Sequence, residues 1–306
     1  MHNHLERDLI GYGPNPPDPQ WPGEARIAVS FVLNYEEGGE NTILNGDAGS
    51  EVRLTEVHGL APVVGGRDLS TESIFEYGSR AGFWRILRLF NERDMKFTSW
   101  AVGRALELHP EAGKAMAEGG HEVASHGYRW IQYRDFGLEQ ELDHIRMAVK
   151  AITESAGIPP VGWYTGLYGM NTLKAVVQHG GFLYSSDAYN DDLPYWVRVD
   201  TGYGGRPHLI IPYTLEVNDM KFSVPPGFAN AEGWMQSMKD AFDMLYAEGA
   251  RSPKMMSIGI HCRLAGRPSR AMTLARFLDY VKSKPKVWVA TRRQIAEHWV
   301  KVHPAS

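Results

Sequence analysis

The chain has 306 residues, 43% hydrophobic and 22% charged. That supplies enough apolar side chain to close a sizeable core, so a largely disordered chain is excluded and one large domain or two modest ones are expected. Thirty-two Lys and Arg against 36 Asp and Glu leave a formal net charge of −4, which offers no long-range field to nucleic acid or to a lipid surface. Cys262 is the single cysteine, which excludes an internal disulfide framework and a cysteine-rich zinc site and suits a reducing compartment. Residues 1–8 show no apolar run of signal-peptide length, and no stretch approaches the roughly 20 apolar residues that span a bilayer. A soluble cytoplasmic protein is therefore expected.

In chain order, residues 11–22 are crowded with proline and read as an extended arm laid over the surface, packed on a neighbour. The expected division is 1–25 for this arm and 26–306 for the body. Residues 26–33, Arg-Ile-Ala-Val-Ser-Phe-Val-Leu, form a strand signal that is apolar on both parities, as a strand covered on both faces requires. A polar, glycine-bearing stretch over 40–73 reads as a loop above that strand's end, of a length usually tied to function. Helix and strand signals then alternate. Helices are predicted over 78–93, 110–118, 138–155, 172–178, 233–247, 270–282 and 293–300. Strands are predicted over 96–102, 122–125, 161–165, 182–187, 209–213, 255–261 and 286–290. This order points to parallel strands in a single barrel-like α/β domain.

In such a barrel the loops after the strands share one face, so polar residues just past each strand converge. The sequence places there Glu36 and Glu37, His126, Tyr164 and Thr165, Asp187, Glu216 with Asn218 and Asp219, and His261. Taken singly, the acidic pair is as readily a solvated turn, and His126 a hydrogen-bonded structural residue. His261 ends an apolar strand, where an imidazole needs a partner. Cys262 faces away from it and reads as core. No dinucleotide fingerprint, Walker loop, Gly-x-Ser-x-Gly elbow or His-Glu-x-x-His motif is present.

Together these strand ends resemble the polysaccharide deacetylase (NodB-homology) superfamily, most closely its cofactor-independent allantoinase branch. Asn34-Tyr35-Glu36-Glu37-Gly38 is similar to the superfamily's Thr-Phe-Asp-Asp-Gly motif, whose first acid is the general base and whose second is a metal ligand. His126-Gly127-Tyr128-Arg129-Trp130 is similar to His-Ser/Thr-x-x-His, with tryptophan where the second metal-ligating histidine stands. The branch also matches 11–17, 32–40, Tyr77-Gly78-Ser79-Arg80-Ala81-Gly82, 191–196 and His261-Cys262-Arg263-Leu264. The resemblance implies a distorted (β/α) barrel and Glu36 as base. Glu37 and His126 make two metal ligands, one short of a catalytic zinc, so no cofactor is expected beyond a weak or vestigial divalent metal site.

The activity implied is hydrolysis of a cyclic amide C–N bond, allantoin to allantoate being the named reaction of purine catabolism, in a homotetramer. His261 would donate a proton to the departing nitrogen. His126 would help to hold the oxyanion. Glu37, Trp130, Tyr164, Thr165 and Asp187 would bind substrate, Asp187 alternatively orienting His261. After Gly162-Trp163-Tyr164-Thr165-Gly166 this chain has Leu167-Tyr168-Gly169 in place of the branch's basic segment, so a cyclic imide or hydantoin-type ring is a second candidate substrate. A metal-dependent deacetylase of N-acetyl sugars or peptidoglycan, and a binding protein without catalysis, are the competing classes.

Overall fold

Ile27–Tyr35 forms a nine-residue strand, β2, with every residue buried. Its odd-numbered side chains (Ile27, Val29, Phe31, Leu33, Tyr35) pack into one apolar cluster with Phe90, Phe97 and Phe277. Its even-numbered Ala28 and Val32 pack into another with Trp100, Tyr184 and Tyr213. The period-two alternation of a strand therefore separates an outer layer, under the helices, from the interior of the barrel.

The computed structural model describes residues 1–202 and 204–305. Strand β1 (His2–Asn3) precedes β2. After β2 come α1 (Leu69–Tyr77), α2 (Phe83–Asn91), β3 (Thr98–Ala101), α3 (Gly103–Leu108), α4 (Pro110–Glu118), β4 (Glu122–Ser125), α5 (Leu138–Ala156), β5 (Gly162–Trp163), α6 (Thr172–His179) and β6 (Tyr184–Ser185). The chain continues through β7 (Tyr195–Asp200), β8 (Gly205–Ile210), α7 (Ala231–Glu248), β9 (Lys254–His261), α8 (Pro268–Lys282), β10 (Val287–Val289) and α9 (Arg292–Val302). The sheet order is β1-β7-β8-β6-β5-β4-β3-β2-β10, with β9 paired to β2. Among these pairs only β7–β8 is antiparallel. The result is a distorted, mostly parallel (β/α) barrel. Among the described residues no helix is long and apolar enough to cross a membrane.

Two predicted elements are corrected. The strand expected at 209–213 is the end of a hairpin made by β7 and β8, and β7 was missed although Val197-Arg198-Val199-Asp200 alternates apolar and charged residues as a half-buried strand does. The helix expected over 78–93 begins at Leu69, where the Asp68 carboxylate caps the amides of Ser70 and Thr71. It passes through a π-helical segment at Gly78–Gly82 before continuing as α2. The glycines explain that segment: a Cβ at Gly82 would stand 2.0 Å from the Cys262 carbonyl oxygen, and one at Gly78 would stand 2.2 Å from Glu37 Oε1.

The proline-rich arm lies on the chain's own body. Trp21 is buried, its ring 5.6 Å from that of Trp288 and 6.1 Å from that of Trp299, and its indole N–H donates to the Lys254 carbonyl at 3.0 Å. His298 Nε2 donates to the Pro19 carbonyl at 2.7 Å.

No ladder joins β8 to β9 among the described residues. The seam between them is bridged by the side chain of Arg292, which is fully buried. Its guanidinium donates to Ser257 Oγ on β9 (2.8 Å), to the carbonyls of Ile211 and Pro212 just past β8 (2.6 Å each), and to Ser186 Oγ past β6 (3.1 Å). Replacing Arg292 by Met would strand these buried acceptors, and chemical denaturation is expected to show a loss of about 2–4 kcal/mol. A loss below about 0.5 kcal/mol, the range of ordinary surface substitutions, would show that the seam does not depend on it.

Candidate functional site

The alternation along β2 continues past its end. Glu36 follows the even, inward parity and Glu37 the odd, outward one, so adjacent carboxylates enter different layers. Glu36 meets a histidine from each side. His126 Nε2 lies 3.1 Å and His261 Nε2 3.5 Å from Glu36 Oε1. The residue just after β4 and the last residue of β9 deliver these rings, and their carrier strands flank β3 and β2. Glu36, His126 and His261 are 1%, 2% and 3% exposed, so their mutual charges act with little solvent screening.

Each imidazole is fixed from behind. His126 Nδ1 donates to the Tyr164 carbonyl at 3.1 Å, which orients Nε2 toward Glu36. His261 Nδ1 donates to Asp219 Oδ1 at 2.6 Å, and Asp219 Oδ2 accepts from the backbone amides of His261 and Ala265, each at 2.8 Å. Burial alone would lower the pKa of His261, but the carboxylates of Glu36 and Asp219 reverse that and raise it to about 9.

The other oxygen of Glu36 belongs to Arg263, whose Nη2 donates to Oε2 at 2.7 Å. Burial would push the Glu36 carboxyl up, but Arg263 and the two imidazoles together hold it well below its usual range. Arg263 is fully buried and its Nε–H donates to the Leu54 carbonyl at 2.9 Å, which ties the long loop over the site. Its Nη1 lies 3.5 Å from Glu37 Oε1.

Glu37 turns away from the histidines. Its Oε2 accepts from the Glu36 amide at 3.0 Å, and Oε1 faces Gly78. Burial raises its pKa against the pull of Arg263. Trp130, at the position of the superfamily's second histidine, lies beneath two guanidinium groups, with Arg53 at 4.8 Å and Arg263 at 5.3 Å from its ring centroid. Tyr164 packs its ring on Trp100 and hydrogen-bonds its hydroxyl to that of Tyr189 at 2.9 Å. Asp187 accepts from the amides of Thr165 (3.0 Å) and Gly166 (2.7 Å) and from Thr165 Oγ (3.3 Å). Burial outweighs these bonds and raises its carboxyl to about 6.

The expectation that Asp187 orients His261 is corrected: Asp219 does so, while Asp187 holds the loop after β5. The sequence places Asp219 on the shared face without a role, and it leaves Arg263 out of the site. Asp219 opens a 3-10 turn in the segment after β8, and Arg263 lies two residues past His261 at the end of β9, so position is a usable signal for both.

Of the two side chains that the resemblance implies as metal ligands, Glu37 is directed to Arg263 and Gly78 while His126 faces Glu36, and Trp130 offers no lone pair. Among the described residues no three His, Cys, Asp or Glu side chains converge as a metal site requires. The arrangement presents a carboxylate held well below its usual pKa range, with the Nε2 atoms of two imidazoles facing it.

Residues 69–181 match the family model described as polysaccharide deacetylase. A Schizosaccharomyces pombe protein carrying the same family name is 48% identical over 314 aligned residues, 97% of this chain and 98% of the relative. A Pseudomonas aeruginosa crystal structure under that family name is 55% identical, covers 98% of this chain and 99% of its own, and superposes with a TM-score of 0.95. The crystal structure of the Puue allantoinase is 54% identical with the same coverage and a TM-score of 0.95.

Because the pKa of His261 is raised from 6.5 to about 9, the stability it contributes is fully present below pH 6.5 and is lost as pH rises through about 9. Nitrogen-15 NMR of the imidazoles is expected to show this ring titrating near 9, and Asp219→Asn is expected to lower that point by at least about one unit, the scale of a close opposite charge. An unchanged titration in the variant would remove Asp219 as its partner.

Proposed function

From membership of the polysaccharide deacetylase family, to which this chain belongs and which makes it a hydrolase, we propose that it opens a cyclic amide C–N bond, with allantoin to allantoate as the reaction. The observation that carries this reading is the 54% identity to the Puue allantoinase over 98% of the chain. The geometry of Glu36 and its two imidazoles suits the chemistry, and the substrate is a small cyclic ureide.

Water is the nucleophile. Glu36, ionised throughout the working range, orients a water molecule and accepts one of its protons as the new O–C bond forms at the ring carbonyl. Negative charge then develops on the carbonyl oxygen beside His126, whose Nε2 proton is placed to stabilise it; one well-aimed donor contributes roughly 3 kcal/mol. His261, kept cationic by Glu36 and Asp219, gives its Nε2 proton to the departing nitrogen as the C–N bond breaks. Glu36 lies 3.5 Å from that same nitrogen of His261, so the proton it took from water can return there and reset the site. The remaining proton of the attacking water leaves with ionisation of the product carboxylic acid. Tyr164, Thr165 and Asp187 shape the mouth: the amides of Thr165 and Gly166 are held by Asp187, and Tyr168 and Met170 of the following segment are 49% and 72% exposed. That apolar segment favours a second substrate class, hydantoins and cyclic imides. A metal-dependent deacetylase of N-acetyl sugars has in its favour the names of the relatives, a peptidoglycan deacetylase among them.

Glu36→Gln keeps the shape of the side chain and removes its charge. The expected result is a folded protein whose turnover falls by at least about 10²-fold; retention of more than about a tenth of the wild-type rate would take Glu36 out of the base role. The rate is expected to decline as pH rises through about 9, where His261 loses its proton. Allantoin, hydantoin, succinimide and an N-acetylglucosamine oligomer assayed side by side test the substrate. Turnover of the oligomer alone, lost to a chelator, would replace this reading with the deacetylase.

A further inference from the structure

We infer that Arg263 is a built-in cation occupying the electrostatic place that a divalent metal holds in the superfamily's deacetylases, with Trp130 as its platform. The carboxylate oxygens carry the argument. Glu36 Oε1 is taken by the two imidazoles, and Glu36 Oε2 by Arg263 Nη2 at 2.7 Å. Glu37 Oε2 is taken by the Glu36 amide, and Glu37 Oε1 faces Arg263 Nη1 at 3.5 Å. Glu37 Oε1 has no hydrogen-bond partner among the described residues, but the cation nearest to it is Arg263 Nη1, so a guanidinium already lies between the two acidic side chains where a metal would have to bind.

The guanidinium is held as a fixed part of the site. Its Nε–H is committed to Leu54, and its Cζ lies 4.1 Å from the Phe75 ring centroid and 5.3 Å from that of Trp130. An aromatic face attracts a guanidinium, so tryptophan at position 130 supports the cation where an imidazole would compete with it for the same carboxylates. The loss of the second histidine and the presence of Arg263 are thus one change: a metal ion exchanged for a side chain that cannot dissociate and that has no acidic water of its own. On the reading of the reaction above, Arg263 is a positioning residue acting through Glu36.

Cobalt(II) uptake tests this without reference to any substrate. Chelator-stripped wild type, Trp130→His, Arg263→Gln and Trp130→His/Arg263→Gln are dialysed against cobalt(II), with bound metal quantified and the visible ligand-field bands recorded. Folding is checked by circular dichroism. Wild type and the Trp130→His single variant are expected to retain less than about a tenth of an equivalent, because the guanidinium still fills the place, and the double variant about one equivalent with a four- or five-coordinate spectrum. Stoichiometric uptake by wild type or by Trp130→His overturns the inference, as does a folded double variant that binds none. Should the double variant fail to fold, Arg263→Ala is refolded with and without millimolar methylguanidinium. Recovery of fold or of melting temperature by methylguanidinium but not by methylammonium supports a dedicated guanidinium site, and equal effects of the two overturn it. If the cobalt pattern holds while none of the ring substrates is turned over, the proposed reaction falls and this inference stands.

Discussion

Everything at the mouth of this barrel follows from burying the carboxylate of Glu36 almost completely. An isolated carboxylate there would take up a proton and lose its charge. It stays ionised because Arg263 and the rings of His126 and His261 surround it within 3.5 Å. Those partners are then constrained in turn: Asp219 orients His261 and adds to the pull of Glu36 on its charge, the Tyr164 carbonyl orients His126, and aromatic faces and the Leu54 carbonyl hold Arg263. The site is a chain of mutual charge compensation, and its members come from loops widely separated in sequence.

The scaffold makes that convergence possible through close backbone approaches. β2 sits between β3 and β9, so the residues after β2 and β9 emerge side by side. The π-helical turn at Gly78–Gly82 lets the helical layer approach until it touches both Glu37 and the backbone of Cys262, which no side chain at either glycine would permit. Residue 263 is thereby held where its guanidinium reaches both acidic side chains. Local irregularity in the outer layer thus fixes the geometry of the inner one.

Much of this was legible in the sequence. Apolar strands alternating with amphipathic helices announced the barrel, and strand-end polarity brought Glu36, His126 and His261 together correctly. Two things were harder to read. β7 is a short amphipathic arm of a hairpin in a region otherwise irregular, and its antiparallel pairing with β8 breaks the βα rhythm on which the rest of the reading relied. Asp219 and Asp187 both lie past strands on the shared face, with equal claim to orient a histidine. The choice between them depends on which loop folds over β9, a tertiary fact that no local pattern encodes. Arg263 was visible as a residue but not as a partner, because its role is defined by the two carboxylates and two aromatic rings that surround it in space.

Arg292 has a wider meaning for how the molecule comes apart. A ladder of amides shares load over many weak links and can fray from one end. The β8–β9 seam is held instead by side chains at separate points: Arg292 reaches Ser257 along β9, and Asp219, in the segment after β8, holds His261 at the end of β9. Each point is a branched group with several bonds, so the strand edges are riveted rather than zipped, and the rivet at Asp219 is also the support of a reacting ring.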